Sequence, residues 1–456
     1  MNISGLYSAL SGMNAHKRIL DVTAHNVANV NTPGYHRQRV TLEPAGVTSV
    51  SAVFAGRSQG AGGVNVASVD RVLDELAESR LLRETAMQAH TSLTSTTLDR
   101  IEQAFPEPSD IGIAAQLDDF WAGWSDLSTR PDDLSSRTQL LERSQTVIDA
   151  LRRASVDLDA LEESSRESVG RLATDINDIA GRIAELNRTI VGSATSANDL
   201  LDQRDLLVTK LAELSGAISR PADGGQIDVY IGGRIIVSGG ITQSVREIAG
   251  VLQWSSDSAA VTAPASKAAA LAETINDTVP RYRIALDAVA NELVTSVNGL
   301  HFGGYDLTGA TGRNFFAPAG VTAATISLSA DVAGQPERLA AGEPDPGPVA
   351  PGRFDGERAR AMAALAGAAT GPDARYRSMV STLGVEVRTA VRRNEIQGQL
   401  VQAAANRADS VGGVSIDEEM ANMMAAQRGF EAAARVLTAI DEMMGVLIQR
   451  TGLVGR

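Results

Sequence analysis

The chain has 456 residues, with 41 Lys and Arg against 55 Asp and Glu and a net charge of −14 at neutral pH. This acidic balance argues against nucleic acid or an anionic membrane as a partner. The absence of cysteine excludes disulfide bonds and thiolate metal sites. No apolar run approaches the length of a membrane span, and no secretory signal peptide precedes the first helix.

The first thirty residues have the apolar spacing of a long helix. Most apolar side chains alternate three and four residues apart, and Lys17 occupies one position of the series. A period near 3.5 is typical of a helix that packs along another helix. We predict that this helix pairs with the C-terminal one and with a neighbouring molecule through Ile3, Leu6, Leu10, Met13, Leu20 and Val27.

An Asn-rich stretch ends this helix, and Pro33-Gly34 follows it. Pro presets φ and Gly supplies a positive φ, so this pair predicts a type II turn. Residues 36–43 then alternate polar and apolar side chains, as a strand does. From the residues alone, the segment is a helix–turn–strand corner.

Gly56-x-Ser58-x-Gly60 formally matches the nucleophile elbow of serine hydrolases. That elbow requires a strand before it and a helix after it. Gly-rich, turn-like sequence follows here instead. We therefore interpret the segment as a flexible turn, and the chain is not predicted to be an enzyme.

Helical patterns then cover residues 70–105, 111–127 and 132–191, and a further helix starts near Asn198. Phe120, Trp121 and Trp124 lie close together and predict a local core. Asp202, Arg204 and Asp205 on the later helix are interpreted as a solvated face with ion pairs, because no His or Cys accompanies them.

The middle of the chain has the features of β-structure. Residues 226–237 predict a hairpin around a Gly-Gly turn, and 251–254 and 324–328 predict further strands. A helical region between them, 268–300, contains Pro280, which predicts a kink or a break. The five histidines are scattered without metal-ligand spacing, so no metal or other cofactor is predicted.

The C-terminal part returns to helix at 376–409 and, after Gly412-Gly413, at 415–449. Ser415 and Glu418 form a capping-box pattern at the start of the last helix. Five of the ten methionines lie between positions 420 and 444, which suits a surface that adapts to more than one partner. The predicted packing residues of this helix are Met420, Met423, Phe430, Leu437, Ile440, Met444 and Leu447.

The expected fold is therefore mainly α with a β-rich middle, in which long coiled-coil-like helices from both chain ends are nested. The predicted segments are an N-terminal coiled-coil and turn segment (1–43), two halves of an α-helical domain (44–216 and 356–411), a β-rich middle domain with an inserted helix region (217–355), and a C-terminal coiled-coil segment (412–456).

Three stretches carry a resemblance to known proteins. The turn resembles the N-terminal signature of bacterial flagellar axial proteins, which are rod, hook and hook-associated proteins, through Asn29, Asn31, Thr32, Pro33, Gly34 and Tyr35. A second stretch resembles an internal signature of the hook-associated proteins of the hook–filament junction, which rod and hook proteins generally lack, through Leu201, Asp202, Gln203, Arg204 and Asp205. Residues 415–422, 439–443 and 451–456 resemble the end of the same junction proteins.

This resemblance implies a structural protein of the bacterial flagellum at the hook–filament junction. The implied partners are further copies in a homo-oligomeric ring, the hook protein, a second junction protein (hook-associated protein 3), an export chaperone at the C-terminal helix and the flagellar type III export apparatus. The implied location is outside the cell, after export without a cleaved signal peptide. The alternatives are another axial protein of the rod or hook and a cytosolic coiled-coil scaffold.

Overall fold

The computed structural model describes residues 4–45, 62–192, 197–343 and 354–451. Ile3 and the Ser58 pattern lie outside these ranges. The helices are α1 (Ser4–Ala28), α2 (Glu75–Ala104), α3 (Ile113–Thr129), α4 (Leu134–Gly192), α5 (Asn198–Ser215), α6 (Lys267–Glu273), α7 (Val279–His301), α8 (Glu357–Ala363), α9 (Pro372–Gly412) and α10 (Ile416–Thr451).

Within the described ranges, the strands form three small antiparallel sheets. They are β1 (Gln38–Pro44), β2 (Val64–Arg71), β3 (Ile218–Pro221), β4 (Ile227–Ile231), β5 (Arg234–Ser238), β6 (Ile241–Thr242), β7 (Val245–Ile248) and β8 (Val251–Trp254). Strand β1 pairs with β2, β3 to β6 form one sheet in chain order, and β7 pairs with β8. The predicted fold class, mainly helical with a smaller β part and paired terminal helices, is confirmed.

The chain divides into two compact units. Unit 1 comprises Met1–Ala86, Ile176–Ser244 and Gly398–Arg456, and unit 2 comprises Met87–Asp175 and Val245–Gln397. Three of the four divisions fall inside α2, α4 and α9, so each of these helices contributes residues to both units, and the fourth falls between β6 and β7.

The core of unit 2 is built around the aromatic residues of α3. Phe120 and Trp124 are fully buried, and they pack against Phe315 and Phe316 with ring centroids 5.2–6.1 Å apart. The indole N–H of Trp121 donates a 2.9 Å hydrogen bond to Asp373. The local core predicted from the α3 aromatics is therefore confirmed.

Two local predictions in unit 2 had different outcomes. The Pro280 region is interrupted, as predicted, because a π-helical turn at Thr274–Thr278 separates α6 from α7. The predicted strand at 324–328 is wrong: its start is a turn in which the Thr322 amide donates to the Thr325 hydroxyl, and Leu328 makes a single bridge to Phe316. Threonine side chains that bond nearby backbone groups compete with strand pairing in this way.

In unit 1, the terminal helices α1 and α10 pair in antiparallel register. Gly5 faces Ile440, and Gly12 faces Ala433. A Cβ placed on Gly429 would collide with the His16 ring. The numbers of each facing pair add to 445, so the register holds along the helices.

The line of contact on α1 differs from the predicted one. The most buried apolar residues of α1 are Ala9, Ala15 and Val22, whereas Leu10 is 41% exposed. At 100° per residue, Leu6, Leu10 and Met13 lie roughly 90–150° around the helix from the α10-facing line. Glycine and alanine let the two helices approach closely, so the face with small residues, not the face with large ones, lies against α10.

One histidine of unit 2 is completely buried. The His301 Nε2 accepts a 3.0 Å hydrogen bond from the Ala340 amide, and Nδ1 lies 2.8 Å from the Arg313 carbonyl oxygen. The ring is therefore neutral with its proton on Nδ1. Burial lowers the pKa of His301 to about 4.

This histidine predicts a loss of stability in acid. The unfolded chain takes up a proton near pH 6.5, but the folded chain does not until about pH 4. The free energy of unfolding should therefore fall by about 3 kcal/mol as the pH drops through this window. Urea titrations followed by tryptophan fluorescence test it, because Trp121, Trp124 and Trp254 all lie in unit 2. The His301→Gln variant should lose that part of the pH slope; an unchanged slope would contradict the assignment.

Candidate functional site

Asn26, at the end of α1, is the centre of a polar cluster in unit 1. Its side chain is 99% buried. The amide nitrogen donates to the Gln38 carbonyl at 2.9 Å and to Glu419 at 3.0 Å. The amide oxygen accepts from the Gln38 amide at 2.9 Å and from the Tyr35 hydroxyl at 2.7 Å. One side chain thus connects α1, the turn, β1 and α10.

The Pro33-Gly34 pair forms the predicted turn. The Tyr35 amide donates to the Thr32 carbonyl at 3.2 Å, and Gly34 has a φ of +75°. A Cβ on Gly34 would also lie 3.5 Å from Leu206 of α5. The first stretch of resemblance, at residues 29–35, therefore lies against α5, the helix that carries the second stretch, at residues 201–205. We call these stretches the first and second family motifs.

Arg37 connects β1 to the start of α10. Its Nη1 lies 2.7 Å from Glu418, and its Nε lies 2.7 Å from Glu419, whose side chain is only 2% exposed. The Ser415 hydroxyl caps α10 by accepting from the Glu418 amide at 3.5 Å. The Glu418 carboxylate, however, binds Arg37, so its predicted return bond in the capping box is replaced by a contact across the fold.

His36 connects the same turn to α5 and α2. Its Nδ1 lies 2.7 Å from Asp202, and its Nε2 lies 3.5 Å from Glu78. Hydrogen bonds to Asp202 and then to Glu78 raise the pKa of His36 to about 9. Burial alone would raise the pKa of Asp202, but the bonds from His36 and Arg71 hold it below its usual value. The imidazolium is therefore the stable form at neutral pH.

Arg71, at the end of β2, completes the contact with α5. Its Nη1 lies 2.9 Å from Asp202 and 2.7 Å from Asp205. Asp199, one turn earlier on α5, accepts from the Gln38 side chain at 2.9 Å. The second family motif is therefore a docking surface for the turn and the β1–β2 pair. It is not the freely solvated face predicted from the residues alone.

Arg204 of the same motif points to a different part of unit 1. It donates to the Gly225 carbonyl at 2.7 Å and to Asn187 of α4 at 3.2 Å. Asn187 in turn donates to the carbonyls of Ile227 and Gly239 at 2.8 Å. Burial lowers the pKa of Arg204. One motif thus connects the terminal segments, through Asp202, with the β3–β6 sheet, through Arg204.

We call this cluster the motif junction. Its members are Asn26, Tyr35, His36, Arg37, Arg71, Asp202, Asp205, Glu418 and Glu419. The other predicted motif residues lie outside it. Asn29 accepts from the Thr32 hydroxyl at 3.1 Å. Asn31, Pro33 and Gln203 are exposed, and Leu201 is half-buried.

The predicted packing residues of the terminal helices are buried to different degrees. Leu6, Met13, Leu20 and Val27 are half-buried, as are Met423, Phe430, Leu437 and Ile440. Leu10, Met420 and Met444 are 37–46% exposed. The side chain of Leu447 lies outside the described part of the helix.

The sequence interpretation missed six members of the junction as site residues: Asn26, His36, Arg37, Arg71, Glu418 and Glu419. Their pairing spans up to 393 positions of the chain, so no local pattern reports it. The one usable signal was Asn26, a polar residue on the otherwise apolar side of a helix.

The junction contains paired ions and no activated nucleophile. Among the described residues, no group of three or more His, Asp or Glu side chains could hold a metal ion. No described helix combines the length and apolar composition that a membrane crossing requires. The arrangement can hold chain segments together.

Three families match separate parts of the chain. The flagellar hook-associated protein FlgK helical domain matches residues 98–316. The flagellar basal body rod FlgEFG protein C-terminal family matches 396–450, and the flagella basal body rod protein family matches 6–36.

Two relatives are similar to the chain over nearly its full length. Flagellar hook-associated protein 1 of Bacillus subtilis is 26% identical, and the alignment covers 99% of both chains. The Escherichia coli protein of the same name is 24% identical over 97% of this chain and 98% of its own. Over nearly its full length, the chain is thus similar to flagellar hook-associated protein 1.

The relatives and this chain differ in length. The alignment with the Bacillus subtilis relative spans 516 positions, more than the 456 of this chain, so that relative carries residues that this chain lacks. The solved structure of the flagellar hook junction protein FlgK from Burkholderia pseudomallei shares the fold. It has a TM-score of 0.64 at 16% identity and covers 73% of this chain and 100% of its own.

The motif junction predicts unequal roles for two adjacent glutamates of α10. Glu419→Gln removes a nearly buried charge from Arg37, and it should speed amide exchange over residues 416–430 by about 30- to 100-fold, equivalent to about 2–3 kcal/mol. Glu418→Gln is the matched control, because that side chain is 63% exposed and should change exchange by less than about threefold. Equal effects of the two changes, measured by hydrogen-exchange mass spectrometry, would contradict the assigned roles.

His36 predicts that unit 1 loses stability in alkali. The folded imidazole keeps its proton up to about pH 9, whereas the unfolded one loses it near 6.5. The contribution is complete below pH 6.5 and disappears by about pH 9, with a maximum of about 3 kcal/mol. A dye on Lys210→Cys, an exposed α5 position in a chain without cysteine, would report urea unfolding. Asp202→Asn should flatten this slope; a slope that persists would refute the pairing.

Proposed function

We propose that the chain is a structural subunit of the hook–filament junction and has no catalytic role. The observation that supports this most directly is the motif junction, where three sequence signatures from distant parts of the chain meet in one polar cluster. Such a cluster fixes both chain ends together, which a subunit that assembles through its ends requires.

We infer that α1 has two surfaces with different uses. Its Gly- and Ala-rich face packs against α10 within the chain. The stripe of Leu6, Leu10, Met13 and Leu20 is half-buried or exposed, and Tyr7 beside it is 61% exposed. This stripe would pack against neighbouring subunits in a homo-oligomeric ring, where burial of each large side chain is worth roughly 1.5–3 kcal/mol.

We propose the same group of partners that the resemblance implies: further copies of the chain, the hook protein, hook-associated protein 3, an export chaperone and the export apparatus. The methionines of α10 support use of this helix by more than one partner, since Met420, Met424 and Met443 are 46–53% exposed. Export without a cleaved signal follows from this role. The five-segment division of the chain remains our proposal, with 1–43 and 412–456 as assembly segments.

A rod or hook protein is the second candidate. The matches at 6–36 and 396–450 favour it, because both are to rod families. The match over 98–316 includes α5, with its Asp202 and Arg204 contacts, and it favours the junction protein.

Deletion of residues 415–456 in the source cell tests the location. We expect hooks without filaments by electron microscopy and flagellin in the medium, because α10 carries one side of the terminal helix pair. Loss of the hooks as well would place the protein in the rod or hook. Normal filaments would refute the flagellar assignment.

A point variant tests the surface of α1. Leu10→Asp should leave the circular dichroism of the purified chain unchanged and abolish filament growth, because it places a charge on the stripe that neighbours would bury. Leu10→Met is the matched control, because it keeps an apolar side chain of similar volume at the same position. Filaments of normal number with Leu10→Asp would exclude this surface as the subunit contact.

A further inference from the structure

The oxidisable side chains of this protein are concentrated on one helix. The chain has ten methionines and no cysteine, so thioether sulfur is its only sulfur. Five of the ten lie on α10: Met420, Met423, Met424, Met443 and Met444.

Three of these five are far more exposed than the methionines in the core of unit 2. Met420, Met424 and Met443 are 46%, 53% and 48% exposed, whereas Met362 and Met379 in the core of unit 2 are 0% and 7% exposed. At 100° per residue, the three exposed side chains point in directions spread over roughly 140° of the helix. Contact with α1 therefore leaves them open to small solutes in the free chain.

We propose that Met420, Met424 and Met443 form an oxidation site that controls the assembly competence of the free chain. The oxidant is hydrogen peroxide. Its O–O bond breaks, one oxygen is transferred to the thioether sulfur, and water leaves; sulfur is oxidised to the sulfoxide and peroxide is reduced. A thiol-dependent sulfoxide reductase reverses the change, with loss of the oxygen as water and oxidation of two thiols to a disulfide.

The effect on assembly follows from polarity. A sulfoxide oxygen is a hydrogen-bond acceptor, and burying an acceptor without a partner is unfavourable. In the proposed function, α10 contacts neighbouring subunits through its apolar side chains. The effect of oxidation on assembly rests on that proposed function. Sulfoxides in several directions around α10 would weaken any neighbour contact. Subunits already assembled would be shielded.

The first measurement uses the purified full chain in dilute hydrogen peroxide, with peptide mass spectrometry at low conversion. The sulfoxide should form about tenfold faster at Met420, Met424 and Met443 than at Met362 and Met379. Equal rates at the two groups would overturn the site, whatever the function of the protein.

The second measurement is binding of oxidised and untreated chain to isolated hooks. Oxidation should weaken binding by about tenfold or more, and a Met420→Leu, Met424→Leu, Met443→Leu triple variant should bind equally well before and after peroxide. The matched control is Met87→Leu, which removes a methionine that is 40% exposed on α2 and should leave the sensitivity intact.

The outcomes distinguish the two proposals. Oxidised wild-type chain that binds hooks as well as untreated chain would overturn the control of assembly, even if the three sulfurs react first. Untreated chain that fails to bind hooks would instead count against the proposed function. In that case the relative rates still decide whether the three methionines form the oxidation site.

Discussion

Two nearly buried polar side chains, Asn26 and Glu419, fix where the ends of this chain meet. A buried amide or carboxylate is costly unless its hydrogen bonds are made. Asn26 uses both amide atoms in four bonds, and Glu419 has Arg37 as its counter-ion. A slip of α10 by one turn would break these bonds and leave the groups unpaired. Apolar contacts between two helices with a heptad-like pattern would not penalise such a shift in register comparably, because successive turns present similar Ala and Gly residues. The constant register of α1 on α10 is therefore best explained by polar pairing at one end, with small residues permitting the close contact that follows.

Helix α5 extends this constraint to the rest of unit 1. Asp202 and Arg204 are two residues apart, so they point to different sides of the helix. The carboxylate binds His36 and Arg71, and the guanidinium binds Asn187 and the Gly225 carbonyl. The position of the terminal helices is thereby tied to that of the β3–β6 sheet through a single helical turn. This double use explains why both charged residues are needed in one short motif, and why its exposed Gln203 makes neither contact.

Local patterns were enough to locate most elements, because they depend on near neighbours. The Pro33-Gly34 turn follows from φ preferences, and the bounds of α3, α4 and β8 follow from apolar spacing and turn residues. The wrong strand at 324–328 has a local cause as well, in the Thr322–Thr325 bond. On α1, the large apolar side chains suggested the contact face, whereas the line that faces α10 includes Gly5 and Gly12, whose lack of a side chain allows close approach. The partners of Asp202 and Glu419 could not be predicted. In the sequence, a carboxylate on a helix surface gives the same pattern whether or not a counter-ion lies near it in the folded chain. Motif resemblance marked these positions as important; only the structure gives the reason.

The unequal distribution of contacts along α10 bears on how a chain of this kind can be stable and still assemble. Among its described side chains, only Glu419 and Ala426 are fully buried, and both lie near the motif junction. Further along, Leu437 and Ile440 are half-buried, and Val446 is 52% exposed. Outside the motif junction, α10 buries few side chains. The free energy gained from this burial is too small to offset the entropic cost of ordering the helix, roughly 1–2 kcal/mol per residue. The free energy not gained within the chain is available to a neighbour that covers the same surface. Anchoring at the junction keeps this gain specific, because it limits which surface of α10 a neighbour can meet. The motif junction thus sets the position of α10, and the apolar surface that stays exposed along the helices supplies the free energy that binds a neighbouring subunit.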